Sequence, residues 1–124
     1  MLIRYKKNLE KIAMGLLSFM PEEKKDVKKL LQTIKEYETN PNWHLYLWKE
    51  DDDVLGAIGV RLEDKNAYIQ HISVNPSHRN IGIGKKMVKE IYRIYEQQQY
   101  HVYAIEVIKE FFERCISDSE NTME

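Results

Sequence analysis

Apolar residues along the chain first keep a helical spacing, then alternate, then return to a helical spacing. Leu2 to Lys6 reads as a short opening strand. Leu9, Ile12, Ala13, Leu16, Leu17 and Met20 then recur at i, i+3, i+4 and i+7, the stripe of an amphipathic helix. Pro21 followed by Glu22 and Glu23 predicts the start of a second helix, with proline where its missing N–H costs nothing and acids at the positive end of the dipole. Its stripe is Val27, Leu30, Leu31, Ile34 and Tyr37, and Asn40-Pro41-Asn42 ends it. From Trp43 the period becomes two. Trp43, Leu45 and Leu47 alternate with His44, Tyr46 and Trp48, as in a half-buried strand. The acidic triplet Asp51–Asp53 turns the chain into a second strand, Val54–Leu62, which carries Gly56 and Gly59. Glu63–Asn66 turns it again into Ala67–Val74, and short polar turns between such strands predict antiparallel pairing.

Beyond Pro76 the helical period returns, with Met87, Val88, Ile91, Ile94 and Tyr95 on one face of a helix from about Gly84 to Gln97. Tyr100–Ile105 reads as a further strand, parallel to Ala67–Val74 because a helix crosses between them. Phe111, Phe112, Cys115 and Ile116 mark a last short helix, and Ser117–Glu124, poor in apolar residues, reads as a frayed tail. The predicted order is β-α-α-β-β-β-α-β-α, an α+β domain with a mixed, mostly antiparallel sheet flanked by helices. One domain accounts for residues 1–124.

Composition narrows the function classes. At 43% hydrophobic and 31% charged residues the chain is ordinary for a globular protein, and its net charge of −1 favours neither nucleic acid nor an anionic membrane. The lysines of the second helix are interleaved with acids, the pattern of a solvated face rather than of a nucleic-acid patch. No run approaches the roughly 18 apolar residues of a membrane helix, and charge interrupts the N-terminus too early for a signal peptide. A single cysteine, Cys115, excludes an intrachain disulfide and a multi-cysteine zinc site. A cytoplasmic protein without a metal is the expectation. His44, His78 and His101 show no metal-ligand spacing, and Cys115 reads as a buried thiol.

The informative stretch runs from Ile69 to Val88. A strand ends at Val74, a short loop follows, and Gly82 and Gly84 open an amphipathic helix. Amide N–H groups at a helix start point outward and favour anions, and glycines let a diphosphate approach the main chain. Arg79 and Lys85 add positive charge at the rim. A Walker loop is a worse match, because Gly82-Ile83-Gly84-Lys85-Lys86 lacks its spacing and hydroxyl, and a Rossmann fingerprint would need glycine where Met87 stands. The bland alternative is that both glycines serve strand–helix packing.

Val74-Asn-Pro-Ser-His-Arg79-Asn-Ile-Gly82-Ile-Gly84 resembles the acetyl-CoA signature V-x-P-x-x-R/Q-x-x-G-x-G/A of the GNAT N-acetyltransferases. The resemblance covers roughly residues 1–116 and extends to the acetyltransferase-like proteins encoded with riboflavin-biosynthesis enzymes in bacilli. It implies the acyl-CoA N-acyltransferase fold, C-terminally truncated before the usual final hairpin. It implies acetyl-CoA as co-substrate and an amine of unknown identity as acceptor, attacking the thioester directly. Residues Ile72, Ser73 and Val74 would pair with the pantetheine arm where the strand splays from Tyr100–Ile105. The amides of Arg79, Asn80, Ile81, Gly82, Ile83, Gly84 and Lys85 would take the pyrophosphate. The tyrosine that family members often use to protonate the leaving thiolate is replaced here, in the pair Phe111-Phe112, by Phe112. A second reading, motivated by Phe112, is a CoA-binding regulatory module with little or no turnover. For the general base two side chains are candidates, His71, whose alternation groups it with Ile69 and Ser73, and Glu106 at the end of the fifth strand. A bound water, or deprotonation of the amine before binding, would serve as well.

Overall fold

The computed structural model describes residues 1–20, 26–79 and 81–122, of which 118–122 by the main chain alone. Among these residues the elements are β1 (Leu2–Arg4), α1 (Glu10–Leu17), α2 (Val27–Thr39), β2 (Trp43–Glu50), β3 (Asp53–Glu63), β4 (Asn66–Val74), α3 (Ile83–Gln97), β5 (His101–Ala104) and α4 (Glu106–Thr122). Short 3-10 turns stand at Lys7–Leu9 and Pro76–His78. The order is the one the periodicity predicts. Pro21, Glu22 and Glu23, expected to open the second helix, lie outside the described residues. Within them α2 is capped by the Asp26 carboxylate, which accepts from the Lys29 N–H at 3.1 Å.

Five strands form one sheet in the order β1-β2-β3-β4-β5, antiparallel except for the parallel pair β4–β5. Two cores cover its two faces. On one, Ala13, Leu16 and Leu17 of α1 and Leu30, Ile34 and Tyr37 of α2 pack on Leu45, Leu47 and Ala57. On the other, Met87, Val88, Ile91 and Tyr95 of α3 and Ile108 and Cys115 of α4 pack on Ile58, Val60, Ala67 and Ile69. Cys115 is a buried free thiol, as its place on an apolar stripe predicts.

Three local departures from the sequence reading matter for the site. α1 ends at Leu17, so Met20 leaves the α1 stripe and joins the core under α3. α4 starts at Glu106, which therefore opens a helix instead of closing the fifth strand, and it continues to Thr122. Third, Gly59 pairs with His71 and Val60 with Ile69, so Gln70 is an extra residue in β4. Such a bulge reverses the inside–outside alternation beyond it. Ile69 faces the α3 core, whereas His71 contacts Tyr37 of α2 and Ser73 Oγ donates to Leu16 O of α1 at 2.5 Å. All three are buried, but the grouping of His71 with Ile69 on one face does not hold.

Candidate active site

β4 and β5 stay paired from Asn66–His101 to Ile69–Ala104, and Ile105 N–H donates a last bond to Ile69 O at 3.2 Å. Beyond that point β4 runs on to Val74 while the other chain turns into α4. The parting begins at the Gln70 bulge. It opens a cleft of ≈ 610 Å³ whose floor includes Ile72, Ser73 and Val74 and whose far wall is Val107, Ile108 and Phe111 of α4. An edge of β4 that β5 no longer covers offers main-chain groups to an extended ligand, as in strand addition.

One end of the cleft is the loop into α3. Asn75 caps the Pro76–His78 turn, its side chain accepting from Ser77 N–H at 3.0 Å. Arg79 Nε donates to Val74 O at 3.2 Å, and its guanidinium lies 5.8 Å from the Phe19 ring centroid. This ties the basic side chain to the rim. Gly82 adopts a left-handed φ of 88°, and its carbonyl accepts the Lys86 N–H at 3.0 Å, the first turn of α3. The amides of Ile83, Gly84 and Lys85 therefore sit at the helix start, where the dipole favours an anion.

The two glycines serve the protein's own backbone in different ways. A Cβ on Gly82 would meet nothing within 4 Å, so the residue is required by its backbone angle. On Gly84 a Cβ would come within 3.0 Å of Phe111 Cζ and 3.8 Å of a Val74 methyl, so this glycine lets α4 lean onto the α3 start.

Of the expected cofactor residues, Ile72, Ser73, Val74, Arg79, Gly82, Ile83, Gly84 and Lys85 line this one cleft. Ile81 is 59% exposed next to it, and Asn80 lies outside the described residues. Sequence reasoning missed Phe19, Met20, His78, Val107 and Ile108, which complete the lining. Phe19 stands off the α1 stripe yet is large and apolar, the one local hint of a surface role. Phe111 lines the cleft, whereas Phe112 tilts onto Tyr92 of α3 with ring centroids 6.4 Å apart.

The two candidate bases part company. Glu106 is exposed at the first position of α4 and borders neither cavity of the splay. His71 is 6% exposed and borders a second cavity of ≈ 260 Å³ between α2, Trp43 and the strand edge. Met20 and Val107 border both cavities. Among the described residues no group of three or more His, Cys, Asp or Glu is gathered as a metal site would require, and no helix is long and apolar enough to cross a membrane.

A sequence profile of the acetyltransferase (GNAT) family matches residues 10–115. The chain belongs to the GNAT family. Its five-stranded mixed sheet with two helices on each face is the GNAT fold. A GNAT relative described as an uncharacterized N-acetyltransferase in the lysA 3′ region of Bacillus methanolicus is 55% identical over 116 residues, covering 93% of this chain and 94% of the relative. Among solved structures, an aminoglycoside acetyltransferase from an uncultured soil metagenomic sample, in complex with sisomicin, superposes with a TM-score of 0.71 at 15% identity. The match covers 94% of this chain and 85% of that one. A GNAT family acetyltransferase from Elizabethkingia anophelis with acetyl-CoA bound gives 0.66 at 18% identity, over 84% of this chain and 63% of that one. At such identities the likeness is one of fold.

Proposed function

We propose that this protein is an acetyl-CoA-dependent N-acetyltransferase that holds acetyl-CoA in the β4–β5 cleft and passes its acetyl group to an amine in a ternary complex. The observation that carries this reading is the continuity of the cleft, which runs from the open β4 edge at Ile72–Val74 to the start of α3 in a chain of the GNAT family. Ile72 and Val74 would bond the pantetheine arm through the main chain. Arg79, Asn80, Ile81, Gly82, Ile83, Gly84 and Lys85 would surround the pyrophosphate, with amides at the helix end and two cationic side chains. Neither role calls for a metal.

Holding the thioester against a fixed strand edge converts the transfer into an oriented encounter with the amine. An amine arriving as ammonium must lose a proton before it attacks. His71 is the better placed of the two candidate acceptors, because it borders the cavity adjoining the cleft while Glu106 faces solvent. The acceptor would be a small amine in the cytoplasm. Amines of flavin biosynthesis are one class to include, on the strength of the sequence resemblance to acetyltransferase-like proteins encoded with riboflavin enzymes.

Titration with acetyl-CoA, followed through amide chemical shifts, should move Ile72–Val74 and Arg79–Lys85 most, and acetyl-CoA consumption against an amine library should find an acceptor. Stationary amides at those positions would refute the site. Binding there without turnover for any amine would leave a CoA-binding module in place of an enzyme.

A further inference from the structure

Four side chains stand directly opposite one another across the sheet on its α2 side: Trp43 of β2, Arg61 of β3, Tyr68 of β4 and Tyr103 of β5. The row begins under α2, where Trp43 meets the Tyr37 ring edge-on with centroids 5.1 Å apart, and ends at Tyr103, which is 48% exposed. Between them the Arg61 guanidinium lies over the Tyr68 ring, 4.6 Å from its centroid, and Tyr68 stacks on Tyr103 at 5.7 Å. A cation seated on an aromatic face keeps its charge and loses conformational freedom. Arg61 Nη1 donates to the Glu63 carboxylate at 2.7 Å, an outward contact that solvent and salt screen. Its Nε donates to Gln70 Oε1 at 3.2 Å. Because Nε–H can only donate, the amide oxygen of Gln70 faces Arg61 and the NH2 is turned away from it. Gln70 is the extra residue of β4, and with Trp43 it borders the ≈ 260 Å³ cavity. Among the described residues neither the Gln70 NH2 nor Arg61 Nη2 meets a protein acceptor, and no buried side-chain polar atom lacks a partner. Both groups are therefore reached by solvent. A brace within the fold would need the Nε–Oε1 bond alone, and the remaining donors of this pair serve nothing in the protein.

We propose that Gln70, oriented by Arg61, forms a carboxylate subsite, and that the acceptor of the acetyl group is an amine that also carries a carboxylate. This deepens, and rests on, the reading of the protein as an acetyl-CoA-dependent N-acetyltransferase, and it names the class of the second substrate. The subsite offers donors and a positive charge, the complement of a carboxylate, and hydrogen bonds to an ionised group are roughly twice as strong as neutral ones. A plain alkylamine would leave those donors to water. Met20 and Val107 border both the cavity and the cleft, so a ligand anchored at Gln70 extends its amine toward the thioester. In the transfer the amine nitrogen bonds to the acetyl carbonyl carbon and the carbon–sulfur bond breaks. The proton that the neutral amine loses balances the departing thiolate, and the carboxylate is unchanged.

Two measurements on the full chain test the assignment, each with three amines and their decarboxylated counterparts: γ-aminobutyrate and propylamine, ε-aminocaproate and pentylamine, L-lysine and cadaverine. The first needs no turnover. In ¹⁵N spectra of the wild type saturated with CoA, the Gln70 side-chain NH2 and the Arg61 Nε–H should move on titration with at least one carboxylate amine and stay still with its counterpart. The second is acetyl transfer from acetyl-CoA. The wild type should prefer that carboxylate amine over its counterpart by roughly 10- to 100-fold in kcat/KM, the scale of hydrogen bonds to a charged group. Gln70→Leu and Arg61→Gln should each lose most of that preference while acetyl-CoA affinity is retained, and Arg61→Lys, which keeps the charge without the grip on Gln70, should keep only part of it. A Gln70 amide that ignores all three carboxylate amines overturns the proposal, as does equal transfer to each amine and its counterpart, which would leave the transferase reading in place. If the Gln70 amide responds to a carboxylate amine and no amine is acetylated, the subsite stands as a binding site and its part in transfer falls with the transferase reading.

Discussion

At position 82 the chain turns into α3 with φ at 88°, a region that costs an ordinary residue about 1–2 kcal/mol. From the sequence alone, Gly82→Val is expected to spare the fold and remove cofactor binding, since the two glycines look alike. They are not alike. Gly82→Ala should lower stability by about 1 kcal/mol and weaken acetyl-CoA binding together, because the same strain moves the amides that follow. Gly84→Val acts through packing: with a Cβ already 3.0 Å from Phe111 Cζ, the added methyls push α4 from α3. Thermal melts and acetyl-CoA titration of both variants check this, and an unstrained, fully binding Gly82→Ala would contradict it. Motif spacing singled out both glycines. It could not tell a backbone demand from a packing demand, because that depends on where Phe111 lies.

Between elements, the clearest polar tie joins β2 to the end of α3. His44 Nε2 lies 2.8 Å from Pro41 O, and a carbonyl can only accept, so Nε2 carries the proton. Nδ1 then accepts from the Tyr95 hydroxyl at 2.7 Å, which in turn accepts from Tyr46 at 2.8 Å. The chain of donors fits neutral His44. Burial first, and the nearby Arg4 second, hold its pKa below the usual 6.5, while burial and the Tyr46 bond keep the Tyr95 phenol protonated. Unfolded chains therefore bind a proton at this site more readily than folded ones. The stability His44 contributes is present above pH 6.5 and is lost as pH falls through the lowered folded value. The wild type should melt lower at about pH 5.5 than at about pH 7.5, and His44→Gln should flatten that difference. An identical pH profile in the variant would assign the dependence elsewhere. At this scale the sequence was a good guide to element order and a poor one to faces. Alternation grouped His71 with Ile69 and Ser73, and that phase is lost at Gln70, where nothing in the residue types announces an extra member. Met20 was misplaced for a related reason: its spacing continued a stripe that α1 had already left at Leu17.

Seen as one molecule, the protein opens a cleft where the sheet gives way, so a cofactor there would bridge β4, the α3 start and α4. A ligand that binds only the folded form stabilises it by about 2.7 kcal/mol at 100 times its dissociation constant. Acetyl-CoA should accordingly raise the melting temperature and slow hydrogen exchange at Ile72–Val74, and Arg79→Ala should diminish both effects. A melting temperature indifferent to acetyl-CoA would count against the cleft. Much of the lining of the larger cleft was legible because a run from Val74 to Gly84 carries it. The smaller cavity was not, since Thr33, Trp43, Gln70, His71 and Val107 meet only after folding.

The shared wall of Met20 and Val107 has a consequence for how such a protein can diverge. On one side, in the cleft proposed for acetyl-CoA, Gly82 is fixed by its backbone angle and Gly84 by the approach of Phe111, and few substitutions can rewrite either. On the other, the lining is side chains drawn from separate elements, each replaceable on its own. Changes at positions such as Thr33 or Trp43 can therefore reshape the smaller cavity while the glycine-fixed start of α3 is inherited intact.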